Sequence, residues 1–161
     1  MLELTIRNAH FCDAAEVGVI GYASWRKGIA PLVPSETHAL VSEATFADFI
    51  REYWKQILIA ELAGRIAGIA ATEEGDNYIS DLWVSPLYEG LGVGTTLITA
   101  LERRVSDRGF DTVEIEVMTA NRRALDLYLN LGYVITWQDE RMDTVLQAPL
   151  HKTALQKKLR R

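Results

Sequence analysis

The chain opens on alternation, with Leu2, Leu4 and Ile6 spaced by polar residues at the period of a strand that buries one face. After it, Asp13-Ala14-Ala15-Glu16 starts an apolar helical stretch that runs to about Trp25. Gly28-Ile29-Ala30-Pro31-Leu32-Val33-Pro34 breaks that pattern with two prolines and reads as a loop, and a second helix is expected from about Thr45 to Trp54. Gln56 to Leu62 and Ile66 to Thr72, joined by Ala63-Gly64-Arg65, predict a hairpin. Glu73-Glu74-Gly75-Asp76-Asn77 turns the chain into a central strand, Ile79 to Val84, which Ser85-Pro86 ends because proline cannot donate to a ladder. Leu97, Ile98, Leu101 and Val105 then recur at helical spacing up to a stop at Gly109. Thr112 to Val117 alternates again, placing Val113, Ile115 and Val117 on one face and Glu114 and Glu116 on the other. Asn121 caps a helix whose stripe is Ala124, Leu127, Tyr128 and Leu131 and which stops at Gly132. Tyr133 to Leu155 predicts two more strands, with a loose turn near Gln147-Ala148-Pro149. The fold class is therefore mixed α/β (α+β): a mostly antiparallel sheet, one crossover that makes a parallel pair, and about four flanking helices.

With 161 residues, the pattern suits one domain spanning 1–161. The net charge of −5 is unevenly spread: the last twelve residues hold five basic and no acidic side chains, leaving residues 1–149 with 12 basic against 22 acidic. An acidic body argues against general nucleic-acid binding and is compatible with cationic acceptors, although a solvated surface would look the same. No apolar run approaches the length of a membrane span or signal segment, and Cys12 is the only cysteine, so a cytoplasmic location and a buried thiol are expected. His10, His38 and His151 lack metal-ligand spacing, and no metal is expected.

The candidate chemistry begins where the central strand meets a glycine-rich turn and a helix. Gly90, Gly92 and Gly94 let a ligand approach the backbone, and the first helical turn offers unpaired N–H groups and a partial positive charge suited to phosphate oxygens. Thr95 and Thr96 add hydroxyls. A dinucleotide fingerprint would need a glycine where Thr95 stands, and a nucleotide P-loop would need Lys-Ser/Thr where Thr95-Thr96 stands. A tight turn with no ligand could use the same glycines.

A second stretch makes the pattern specific. Val84-Ser85-Pro86 followed by Glu89-Gly90-Leu91-Gly92-Val93-Gly94, then Asn121, Ala124, Leu127, Tyr128, Gly132 and Tyr133, resemble the two signatures of the GNAT acetyltransferase superfamily across roughly residues 77 to 133. Glu89 departs from them, since the family usually sets Gln or Arg there. The resemblance implies acetyl-coenzyme A (acetyl-CoA), an amine acceptor, and a splayed parallel strand pair that takes the pantetheine arm. It implies cofactor contacts from Leu82, Trp83, Val84, Gly90, Leu91, Gly92, Val93, Gly94, Thr95 and Asn121. It also gives Tyr128 as the acid for the departing thiolate. For the base, the resemblance points first to Glu116, five residues before Asn121 and twelve before Tyr128 like the catalytic glutamate of members that acetylate protein N-termini, with Asp81, Glu73, Glu74 or water as rivals. A module that keeps the cofactor site without catalysis is the alternative function, and homodimerisation is left open.

Overall fold

The computed structural model describes residues 3–73 and 75–160. The strand position expected at Leu2 and the carboxylate of Glu74 lie outside the described residues. Among the described residues the strands are β1 (Leu4–Asn8), β2 (Ile57–Leu62), β3 (Arg65–Thr72), β4 (Tyr78–Val84), β5 (Thr112–Met118), β6 (Val134–Asp143) and β7 (Ala148–Lys158). They form one sheet in the order β1-β2-β3-β4-β5-β7-β6. Four α-helices accompany it, α1 (Ala14–Gly28), α2 (Glu43–Tyr53), α3 (Val93–Asp107) and α4 (Arg122–Asn130). The structure therefore has the expected fold class.

The helices divide between the two faces of the sheet. On one, Leu97, Ile98, Leu101 and Val105 of α3 are fully buried against Leu58, Ala60, Ala67 and Ala70. Each such side chain contributes about 1.5–3 kcal/mol relative to exposure, which is why the apolar stripe holds α3 down. On the other face, Ala14 and Val17 of α1 and Ala47 and Ile50 of α2 cover Ile57, Ile59, Ile66 and Ile69. The hairpin between β2 and β3 turns at Ala63 (φ 52°) and Gly64 (φ 77°), the left-handed pair that a two-residue turn requires. Gly21 of α1 has no room for a Cβ, which would stand 2.5 Å from Cδ1 of Phe46; that close crossing pushes Phe46 onto Trp83, with rings 4.9 Å apart edge to face.

The parallel pairing of β4 with β5 is short. Only Tyr78↔Glu114 and Ile79↔Ile115 are in register, after which the two strands part. The cause lies in β4, where Ala71 of β3 pairs with Asp81 while Thr72 pairs with Ile79, leaving Ser80 as the extra residue of a β-bulge. Bulging bends the strand and resets its alternation. Ile79, Leu82 and Val84 all pack into the α3 side of the core, while Trp83 packs toward α1 and α2.

Several boundaries differ from the expected ones. Helix α1 runs to Gly28 rather than Trp25, and the loop after it contains a 3-10 segment, Ser35–Leu40. The last turn occupies residues 144–147 with Gln147 at φ 54°, and β7 continues through Lys157 and Lys158. Its position between β5 and β6 overrides the basic composition, because Lys157 and Lys158 pair with Val113 and Thr112 and Lys157 donates to Glu102 at 3.1 Å. Cys12 is exposed rather than buried, since it sits in a single 3-10 turn (Phe11–Asp13) before α1. No helix among the described residues is long and apolar enough to cross a membrane.

Candidate functional site

Where β4 and β5 part, a cleft of about 1330 Å³ opens. Its floor is the strand pair, with Asp81, Leu82, Trp83 and Val84 from β4 and Ile115, Glu116, Val117 and Met118 from β5. Gly90, Gly92, Val93, Gly94 and Thr95 line one side, and Asn121, Ala124, Leu127 and Tyr128 line the next. Of the cofactor contacts implied by the resemblance, Leu91 alone is absent from this lining; its side chain is 55% exposed on the outside of the turn.

Gly90 and Gly92 take φ of 77° and 83°, a left-handed backbone that a side chain would strain, and an added Cβ on either would meet nothing within 4 Å. The loop is thus open, and a ligand can reach its backbone. Gly92 is also the N-cap of α3, so the N–H groups of Val93, Gly94 and Thr95 point out of the first turn without helical partners. Thr96 differs from expectation. Its hydroxyl donates back to the Gly92 carbonyl at 2.8 Å, so it is engaged with its own helix rather than offered to a ligand. Asn121 is the N-cap of α4, its Oδ1 accepting from the Ala124 N–H at 3.3 Å.

Tyr128 is 1% exposed, and its hydroxyl is a buried side-chain polar atom without a hydrogen-bond partner among the described residues. Tyr133 stands edge to face with it, ring centroids 5.2 Å apart, and sends its own hydroxyl to Glu102 at 2.8 Å. Burial, and then the charges of Asp81 and Glu102, push the Tyr128 hydroxyl far above the ordinary tyrosine range, so it stays protonated. Asp81 is raised by burial, against the opposing hydrogen bonds of Trp83 and Ser80; Trp83 Nε1–H donates to its Oδ1 at 3.1 Å. Glu116 lies at the point where the strands part and accepts the Tyr78 hydroxyl at 2.8 Å. Burial and that bond together raise Tyr78. Glu73 lines the cleft farther out, beyond the N-terminal end of β4.

Glu89, the departure from the signature, is held away from the turn. It accepts from Lys27 at the end of α1 and from Arg123 in α4, both at 2.6 Å. Burial raises its carboxyl, but these two cations outweigh that and hold it below the usual range. A turn of Glu89 toward a nearby arginine was one expectation at this position, but Lys27 and Arg123 could not be named as its partners from the sequence because they are far from it in the chain, and the Ser80 bulge was missed because serine is no signature of one.

Comparison with known proteins agrees with this geometry. A model of the acetyltransferase (GNAT) family matches residues 22–133. An uncharacterized N-acetyltransferase of Mycobacterium tuberculosis is 29% identical over 131 residues, covering 76% of this chain and 84% of the relative. Among solved structures, a GCN5-related N-acetyltransferase of Rhodopseudomonas palustris superposes with a TM-score of 0.77 at 27% identity, covering 99% of this chain and 98% of that one. The yncA protein of Salmonella typhimurium, solved with its cofactor acetyl-CoA, shares the fold at a TM-score of 0.71 and 19% identity, covering 99% and 95%.

Proposed function

The chain belongs to the GNAT acetyltransferase family, which uses acetyl-CoA, and from that premise we propose that it transfers acetyl to a primary amine. The observation that carries this reading is the Tyr128 hydroxyl: fully buried, unpartnered, and lining the same cleft as the open first turn of α3. A group left without a hydrogen bond costs about 1–3 kcal/mol, and a fold retains it where a ligand supplies the partner.

When bound, acetyl-CoA supplies an acetyl group held as a thioester. Gly90 and Leu91 shape the turn, and the N–H groups of Gly92, Val93, Gly94 and Thr95 would hold its pyrophosphate. Leu82, Trp83 and Val84 would offer strand backbone to the pantetheine arm, and Asn121 a side-chain contact. An alkyl ammonium with a pKa near 10 must lose its proton at a cost of about 4 kcal/mol at pH 7. Asp81, raised by burial and close enough to Tyr128 for their charges to interact, takes that proton. Glu116, the leading base on spacing, is engaged by Tyr78 and serves as a second proton acceptor through water. Tyr128 gives its hydroxyl proton to the thiolate.

Purified protein with acetyl-CoA and a panel of primary amines, followed by free thiol release, tests the reading. Tyr128→Phe should leave cofactor affinity and stability nearly unchanged and lower turnover by about 10²–10⁴. Wild-type protein that binds acetyl-CoA but releases no thiol with any amine would instead favour the non-catalytic binding module.

A further inference from the structure

The cleft continues past the reacting centre, where carboxylates outnumber cations; Arg108, outside the lining, is turned onto the Thr72 hydroxyl at 2.8 Å and the Asp76 carbonyl at 3.0 Å. The two cations that line it are both engaged, Arg123 with Glu89 at 2.6 Å and Lys152 with Asp143 at 3.3 Å. Glu52, Glu73, Asp76, Asp81 and Glu116 line it with no ion pair among the described residues. Carboxylates alone would be a solvated rim. The Tyr128 hydroxyl gives the space a direction, because a buried polar group without a partner marks one end as built to receive a ligand.

The other end is fixed by topology. Ile57 pairs with Ala71, so the chain enters β2 beside the residues leaving β3, and Glu52 and Tyr53 at the end of α2 line the same cleft as Thr72 and Glu73. Phe49 and Tyr53, with ring centroids 5.4 Å apart, line the same stretch. The Glu73 N–H bonds to the Tyr78 carbonyl, and Asp81 is three residues farther along β4, which at the rise of a strand separates the two positions by about 10 Å. Carboxylates beside aromatic rings favour a cation such as an ammonium.

Resting on the reading of this cleft as an amine acetyltransferase site, we propose that the acceptor is a linear diamine held at both ends. One nitrogen enters between Asp81 and Tyr128, while the other remains an ammonium between Glu52 and Glu73 beside Phe49 and Tyr53. In the transfer the nitrogen–acetyl bond forms and the thioester carbon–sulfur bond breaks. The ammonium gives one proton to Asp81 before it attacks; a second leaves the nitrogen as the amide forms and restores the Tyr128 hydroxyl, which protonates the departing thiolate. The product keeps its distal charge and loses the other.

Initial rates of thiol release decide this with propylamine, a series of α,ω-diamines of increasing length, lysine and a short basic peptide as acceptors. The best diamine should show a KM about tenfold or more below that of propylamine, an advantage that shrinks as salt screens the rim. The double variant Glu52→Gln, Glu73→Gln, altering two exposed side chains, should raise the ratio of the diamine KM to the propylamine KM about 3–10-fold. Equal KM for propylamine and every diamine, a variant that raises both alike, or a peptide that outperforms all diamines would overturn the proposal while leaving acetyl transfer intact. If no amine is acetylated, the acetyl-transfer reading falls separately. Calorimetric titration of the diamines into protein loaded with coenzyme A then decides: binding weakened in the double variant supports the proposal, and absence of binding overturns it.

Discussion

At Tyr128 the fold keeps a buried hydroxyl that none of the described residues satisfies, and the two carboxylates proposed for the proton transfer differ in how free they are to respond. Asp81 is raised by burial, so its proton-accepting form is lost as pH falls through a value above the ordinary carboxylate pKa of about 3.9. The acidic limb of the kcat/KM profile should therefore lie above that range. Asp81→Asn should remove the limb and lower the rate at neutral pH by about 10²–10⁴, whereas Glu116→Gln should keep the limb and cost about tenfold or less. A profile in which Glu116→Gln removes the limb and Asp81→Asn keeps it would exchange the two roles. Tyr128 was legible in the sequence because the motif around it is continuous on one helix. Asp81 was legible only as one of several carboxylates, since its environment comes from Trp83 and from burial between elements that no local pattern connects.

Among the elements, α3 shows how a local rule and a site coincide. Gly92 is both its N-cap and a residue at φ 83°, while Gly94 is the second helical residue, where an added Cβ would find Leu127 at an ordinary 3.4 Å. Gly92→Ala should thus cost about 1–2 kcal/mol of stability from the left-handed backbone alone. Gly94→Ala should be close to neutral in denaturant unfolding. An equal loss in both variants would show that the turn is not strained at Gly92. The helices and the hairpin were readable because their apolar residues recur at the period of one buried face. The β7 strand ran past its expected end because cross-strand pairing, with β6 as far as Gln156 and with β5 through Lys158, and not its own composition, decides it. Glu89 shows the same limit at a turn. Its chemistry is set by Lys27 and Arg123, which only the packing of α1 and α4 brings within reach.

Across the whole molecule, the C-terminal strand is an interior part of the sheet although it comes last in the chain. β7 separates β5 from β6 and buries Leu155 in the core beneath α3 and Leu150 against Trp25 and Phe46. A chain ending at Pro149 should show no cooperative thermal transition, whereas one ending at Leu159 should melt like the full protein. Circular dichroism melts of the two would check this; a cooperative transition in the shorter chain would show that β1 to β5 fold without it. The hairpins and the crossover that makes the parallel pair were legible in the pattern, and the splay of that pair followed from the family resemblance; the bulge that opens it did not, because it turns on one unpaired serine, and neither did the place of β7 between β5 and β6.

That gap has a consequence when it is considered as an edge. Beyond Ile79 and Ile115 the sheet presents two strand margins to each other instead of to solvent, each with backbone donors and acceptors that its neighbour does not take. Proteins usually defend such margins with charge, proline or a bend, because an unpaired ladder recruits whatever extended chain it meets. Here the bend at Ser80 stops the two margins from closing on one another and leaves both unfinished inside the fold. The protein is in effect a sheet folded with one rail missing, and an extended amide-bearing ligand would complete it without either strand having to move.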